Sequence, residues 1–193
     1  MKSFKDYIFE ALGRKRIIMI GGPGSGKSTF SEIIEKKLNI PHIYTGDMMR
    51  KLAKTNDIVK HLLSKGEFAP TNIVIKAVQD RLEKPDANKG YIFDGFPRNI
   101  EQAKAMEKKD IKHDYVIYLD VSEKEVIRRL TSRGRADDKP EIIKNRLKVF
   151  ERETAPLLDY YKNELIKIKA EGGTPEEIAQ TIIDKTKWKN LKI

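Results

Sequence analysis

Residues 21–29, Gly21-Gly22-Pro23-Gly24-Ser25-Gly26-Lys27-Ser28-Thr29, have the composition and spacing needed to hold a phosphate chain. Gly21, Gly26, Lys27 and Ser28 occupy the fixed places of the pattern G-x-x-x-x-G-K-[ST]. Glycines allow backbone angles with φ > 0 and let successive N–H groups close around an anion. Lys27 can reach terminal phosphates as a mobile charge, and the Ser28 hydroxyl can serve a magnesium ion. The plain alternative is a glycine-rich turn that binds nothing. The flanking sequence argues against it. Residues 16–20 are an apolar run with strand character, and residues 30–38 repeat their apolar side chains at helical spacing. A strand entering the loop and a helix leaving it are what the motif needs, because the helix start adds the positive end of its dipole.

The rest of the chain supplies more such units. Apolar runs predict strands at 16–20, 42–44, 91–93, 115–119 and 165–168. Helical spacing and stop signals predict helices at about 27–38, 48–54, 57–65, 70–82, 99–107, 123–132 and 175–185. Thr45 or Asp47 is expected to cap the helix that begins at Met48. Another helix is expected to run from Pro140 to about Tyr161, bent near Pro156. Phe4, Tyr7, Ile8, Phe9 and Leu12 predict a short amphipathic helix over 1–15 that is additional to the core unit. Strands alternating with helices imply βαβ units: a three-layer α/β/α fold around a central parallel sheet of about five strands. The whole chain, 1–193, reads as a single domain.

Composition narrows the setting. The chain has 193 residues, 39 basic and 29 acidic, for a net charge of +10. No apolar run is long enough to span a bilayer, and the first residues lack a signal-like apolar segment. With no cysteine and three dispersed histidines, a zinc site is not expected. Cytoplasm is the default expectation. The positive charge could serve nucleic acid, but no aromatic-interleaved basic motif accompanies it. A lysine-rich surface around a site for polyanionic nucleotides is the simpler reading, with neither nucleic acid nor membrane as partner.

Three further stretches narrow the chemistry: Thr45-Gly46-Asp47-Met48-Met49-Arg50; Asp94-Gly95-Phe96-Pro97-Arg98 with Gln102 one helical turn on; and the series Arg129, Arg133, Arg135 and Arg146, with Asp137-Asp138 inside it. Together with the glycine loop, over residues 16–183, they resemble the adenylate kinases of the nucleoside monophosphate kinase family. The resemblance implies the reaction ATP + AMP ⇌ 2 ADP with magnesium, in nucleotide biosynthesis. Physical chemistry points the same way. When the acceptor is itself a phosphate, its oxygen is already anionic and needs no general base. In-line positioning and neutralisation of charge are what remain, and guanidinium groups supply both.

The resemblance also implies roles. Gly24, Ser25, Gly26, Lys27, Ser28 and Thr29 would cradle the ATP phosphates, with Lys27 on the transferring group. Ser28 and Asp94 would hold magnesium, Asp94 through water. Arg129 and Arg133 would face ATP, and Arg135 and Arg146 would embrace the phosphoryl group and reach the AMP side. Thr174 or its neighbours would touch the ATP base through backbone atoms. On the acceptor side, Thr45 would lie near the adenine, Arg50 and Arg98 would clamp the AMP phosphate, and Gln102 would read the base edge. Glu67, Phe68 and Ala69, within an AMP-binding segment at 45–74, would touch AMP partly through the backbone. Gly95, Phe96 and Pro97 would complete that wall. Each has a plainer alternative: Thr45 a helix cap, Arg146 an ion-pair partner of Asp137, Asp138 or Glu141, Arg128 a solvated helix residue.

This sequence departs from the family pattern in two places. Ala69-Pro70-Thr71 stands where relatives often have Val-Pro-Asp. More importantly, only Gly134 separates Arg133 from Arg135, where the family usually carries a lid; residues 133–138 would be a rudimentary lid loop. A lid excludes water from the transferring group, so its near-absence leads us to expect looser discrimination of the donor base. Two other functions remain open: a UMP/CMP kinase, disfavoured by Thr45 and Gln102, and a non-enzymatic nucleotide-sensing or RNA-associated module. A monomer is the default expectation, and a homo-oligomer is conceivable.

Overall fold

A computed structural model describes residues 15–133 and 140–186. The expected helix at 1–15 therefore falls almost wholly outside the described residues. So do the lid residues 134–139, with Arg135, Asp137 and Asp138, and the tail 187–193. Lys15 is the exception, and it is the first residue of a strand.

Five strands form one sheet: β1 (Lys15–Ile20), β2 (His42–Tyr44), β3 (Gly90–Asp94), β4 (Tyr115–Asp120) and β5 (Leu165–Lys169). All pairings are parallel, in the order β2-β3-β1-β4-β5. Nine α-helices are described: α1 (Lys27–Leu38), α2 (Thr45–Leu52), α3 (Asp57–Ser64), α4 (Thr71–Leu82), α5 (Ile100–Lys108), α6 (Glu123–Arg133), α7 (Pro140–Val149), α8 (Pro156–Tyr160) and α9 (Pro175–Lys185). A 3₁₀ turn at Pro85–Lys89, not expected from the sequence, leads into β3.

The middle of the sheet is covered on both faces, so β1, β3 and β4 read as nearly continuous apolar runs. β1 shows the division. Ile17 and Met19 join Phe30 and Ile34 of α1 and Ile178 and Ile182 of α9. Ile18 and Ile20 join Phe93, Phe96, Met106 and Leu157 in a second core on the other face. The period-two alternation of a strand separates the two sets. From β1 the chain first builds the β3–β2 side, then the β4–β5 side. A crevice opens outside the carboxyl ends of the strands at such a reversal of order.

Two expectations are corrected. Neither Thr45 nor Asp47 caps α2: the helix starts at Thr45, and its N-cap position, Tyr44, makes no side-chain cap bond. The Thr45 hydroxyl is used elsewhere, donating to the Gly95 carbonyl at 2.6 Å. The long helix over 140–161 is also not one helix. Residues Phe150–Thr154 form a π-helical turn, in which the Ala155 N–H donates to the Phe150 carbonyl at 2.8 Å. Pro156 has no N–H to donate and cannot sit inside a regular helix. The chain widens just ahead of it and restarts with Pro156 in the first turn of α8.

Candidate active site

The glycine loop joins β1 to α1 at the carboxyl edge of the sheet. Gly24 and Gly26 have φ of +76° and +92°, and a Cβ on Gly26 would come within 2.7 Å of the Phe30 ring. Both features exclude larger residues there. α1 has no side-chain cap and no acid in its first turn. Its leading N–H groups and dipole are thus left to an anion. Lys27 Nζ is folded over the loop, donating to the carbonyls of Gly21 (2.5 Å) and Gly22 (2.8 Å) and to Ser25 Oγ (3.2 Å).

β3 brings a carboxylate beside this loop. Ser28 Oγ donates to Asp94 Oδ2 at 2.6 Å, and His42 Nε2 lies 3.2 Å from the same oxygen. Asp94 is 1% exposed. Burial alone would raise its pKa; hydrogen bonds from His42 and Ser28 and the charge of Lys27 outweigh that and hold it below the usual carboxylate range. His42 was missed by sequence reasoning. It belongs to no motif, and only the pairing of β2 with β3 brings it to Asp94.

The segment after β3 is held from several sides. The Phe96–Pro97 peptide is cis. Arg98 Nε donates to the Gly95 carbonyl at 2.8 Å, and its guanidinium lies 5.0 Å from the centre of the Phe68 ring. The Arg98 N–H donates to Gln102 Oε1 at 2.8 Å, and Thr154 Oγ1 donates to the Arg98 carbonyl at 2.7 Å. Desolvation pulls the Arg98 pKa down and Asp94 pushes it up; Arg146 and Arg50 add like charge. A guanidinium stays protonated regardless. Gln102, Thr45 and Ala69 line one recess together with Phe68, Gly95 and Arg98.

Two residues expected on this wall point elsewhere. The Phe96 side chain is fully buried in the core, edge-on to Phe93 at 5.1 Å. An apolar ring gains more from the core than from a polar cleft. The Glu67 carboxylate pairs with Arg152 at 3.3 Å, and its N–H is taken by the Leu62 carbonyl. Arg50 stands at the margin, stacked 4.9 Å from the centre of the Tyr44 ring.

On the other side, Arg129 of α6 reaches across the loop. It donates to Glu125 Oε1 (2.7 Å), to the Ser25 carbonyl (3.3 Å) and to the Ala170 carbonyl (2.8 Å). Arg128 is largely exposed, as expected, and is bound to Glu125 by two bonds of 2.7 Å. Thr174 caps α9 in a reciprocal box with Glu177. It lines a groove shared by Arg129, Gly26 and Thr29. Arg133 is the last residue of α6. Arg146 comes from α7.

These elements surround a cavity of about 400 Å³. Among the described residues, Lys27, Arg98, Arg129 and Arg146 line it against one carboxylate, Asp94, which suits a polyanion. The cavity shares Phe68, Gly95 and Arg98 with the Gln102 recess, and Gly26, Thr29 and Arg129 with the Thr174 groove. Ser28 and Asp94 offer hard oxygen donors at its floor, which fit magnesium.

A phosphate-cradling loop at the switch point of an all-parallel sheet, with a buried carboxylate on the next strand, defines a P-loop α/β protein built for nucleotide phosphates. Comparison with known proteins makes this specific. The family model described as Adenylate kinase matches residues 19–166. Adenylate kinase of Mycolicibacterium smegmatis is 41% identical over 175 residues, 86% of this chain and 97% of that protein. Adenylate kinase of Corynebacterium urealyticum is 42% identical over 176 residues, covering 87% and 97%. Adenylate kinase of Corynebacterium aurimucosum is 42% identical over 171 residues, covering 84% and 94%. The chain belongs to the adenylate kinase family, a family of phosphotransferases. The comparisons do not favour the non-enzymatic or UMP/CMP kinase readings.

Proposed function

We propose that the chain catalyses reversible, magnesium-dependent transfer of the terminal phosphoryl group of ATP to AMP, giving two ADP. One observation carries this beyond family membership: a cationic cavity shares its walls with two recesses, one beside Gln102 and one beside Thr174. Two nucleotides can then meet at their phosphates. Lys27 and the loop N–H groups bind the donor phosphates, and Arg129 and Arg133 face the same nucleotide. Arg50 and Arg98 hold the acceptor phosphate, and Arg135 and Arg146 steady the group in transfer. The acceptor oxygen is anionic already, so these residues orient and neutralise rather than abstract a proton. Ser28 and Asp94 are the residues that would hold magnesium. Magnesium held there would offset the charge of the donor phosphates.

Base recognition is divided. Gln102 Oε1 is committed to the Arg98 N–H, so it offers Nε2 to an acceptor adenine. On the donor side, Thr174 donates its N–H to Glu177 Oε2 at 2.9 Å and its carbonyl accepts from the Ile178 N–H at 3.1 Å, so a base in this groove would meet the neighbouring backbone at Gly172 and Gly173. Among the described residues no helix is long and apolar enough to cross a membrane.

The test is an activity matrix of donors against acceptors, read as ADP or its analogues. ATP with AMP should be the productive acceptor pairing. Faster turnover of UMP or CMP would transfer the reading to a UMP/CMP kinase, and nucleotide binding without transfer would favour a sensing module. The single residue between Arg133 and Arg135 supports turnover with GTP, CTP or UTP as donors; strict ATP dependence would refute that part.

A further inference from the structure

Tyr44 belongs to none of the sequence motifs, yet it stands where they meet. It ends β2 opposite Asp94 of β3, and it lines the central cavity with Arg98. Its ring is confined. The His42 ring stacks on it with centroids 5.8 Å apart and planes 13° from parallel. Gly46 makes room for it: a Cβ there would lie 2.7 Å from Tyr44 Cε2.

Arg50 uses this ring as a platform. Its guanidinium lies 4.9 Å from the ring centre, and Nη1 donates to Tyr44 Oη at 3.3 Å. Asp47 Oδ1 is 3.7 Å from Nη2. The Arg50 side chain is 45% exposed, so without such contacts it would sample many rotamers. A fixed guanidinium loses less freedom when it takes up a ligand. Its charge reaches Arg98, which also feels Arg146.

We propose that Tyr44 is a positioning residue for the acceptor phosphate: its ring and hydroxyl hold Arg50 so that Arg50 and Arg98 grip the same phosphomonoester. The inference rests on the acceptor site being an AMP site. Tyr44 acts through Arg50, so its effect is confined to ligands that carry the phosphate and vanishes once Arg50 is gone.

Equilibrium binding of AMP and of adenosine tests this in the wild type, Tyr44→Phe, Tyr44→Ala, Arg50→Ala and Tyr44→Ala/Arg50→Ala. Tyr44→Phe keeps the platform and loses the hydrogen bond, weakening AMP about 3-fold. Tyr44→Ala loses both, weakening AMP about 10-fold. Arg50→Ala weakens AMP about 50-fold, and the double variant matches it within a factor of about 2. Adenosine affinity stays level throughout. Multiplicative losses in the double variant, or equal losses for adenosine, would overturn the proposal. Should the alanine variants fail the circular dichroism check for folding, Tyr44→Phe decides alone: a loss confined to AMP supports the proposal, and none overturns it. A wild type that binds AMP no better than adenosine defeats the acceptor-site reading itself. A wild type that prefers AMP, with Tyr44 variants that prefer it equally, defeats only this inference.

Discussion

Ser28 Oγ donates to Asp94 Oδ2 across 2.6 Å, linking the first turn of α1 to the last residue of β3. The contact spans 66 positions of sequence and brings a hydroxyl and a carboxylate to one point of the cavity floor. Asp94→Asn keeps the shape and removes the charge. We expect kcat to fall about 100-fold or more and the magnesium titration to shift to higher concentration. Stability should change with pH as well. A carboxylate held below its ordinary value of 3.8 contributes fully above that pH, and the contribution is lost as pH falls through the lower folded value. Acid unfolding of Asp94→Asn, followed by circular dichroism, should show a flatter acid limb than the wild type.

Lys27→Met should separate chemistry from folding. The side chain hydrogen-bonds its own loop rather than the core. We expect kcat to drop about 1,000-fold, since a charge on the transferring group is removed, while stability changes by less than about 1 kcal/mol. A coupled assay for ADP and a thermal melt measure the two. Persistent activity would overturn the assigned role of Lys27.

Gln102→Glu retains an acceptor for the Arg98 N–H but exchanges the amide donor for a second oxygen. AMP should lose about 10- to 100-fold in kcat/KM. The loss for acceptors with other bases should be smaller, so the selectivity ratio narrows. Steady-state kinetics with AMP, GMP and CMP reads it out.

Glu125 carries both Arg128 and Arg129, and their hydrogen bonds hold its pKa down at about 2. The clamp on Arg129 thus persists above the ordinary value of 4.5 and disappears only as pH falls toward about 2. Glu125→Gln removes the charge at every pH. The KM for ATP should rise about 5-fold through a less ordered Arg129, with the KM for AMP unchanged. An equal rise in both would show that Glu125 acts on the whole cleft instead.

Gly90→Ala probes the fold rather than the site. Gly90 has φ of +122°, and a Cβ would lie 2.3 Å from the Lys15 carbonyl oxygen on the adjoining strand. The neighbour is backbone and cannot turn aside. A cost of about 3 kcal/mol corresponds to a fall in Tm of about 6–12 °C for a chain of this size. Calorimetry checks it.

Local chemistry made much of this molecule legible in advance. β1, β3 and β4 were visible as apolar runs because the middle of a parallel sheet is buried on both faces, and the edge strands β2 and β5 as shorter segments with fewer buried residues. The glycine loop, Asp94, Arg98 and Gln102 were visible because phosphate and base recognition demand particular residue types at short spacing. Long-range partnerships were not. His42 and Tyr44 acquire meaning only through the pairing of β2 with β3. Thr45 looks like a cap until Gly95 lies across from it. Glu67 and Phe96 sit within recognisable motifs, yet their side chains answer to Arg152 and to the core. A motif fixes where the backbone passes; neighbours from elsewhere in the chain decide which way each side chain turns.

The π-helical turn at Phe150–Thr154 has a consequence for chain length. In a regular helix, residues seven apart lie nearly on one line, because each residue advances about 100°. Phe150 and Leu157 are seven apart, yet Phe150 faces the cavity while Leu157 is fully buried in the core. The wide turn absorbs one residue without its share of rotation, so the second half of the element is dialled round relative to the first. A helix one residue shorter between Phe150 and Pro156 would set Leu157 and Tyr161 on the same faces, but it would place Pro156 inside regular bonding that it cannot join. The extra residue thus serves the proline, and the length of this segment is tied to the identity of Pro156.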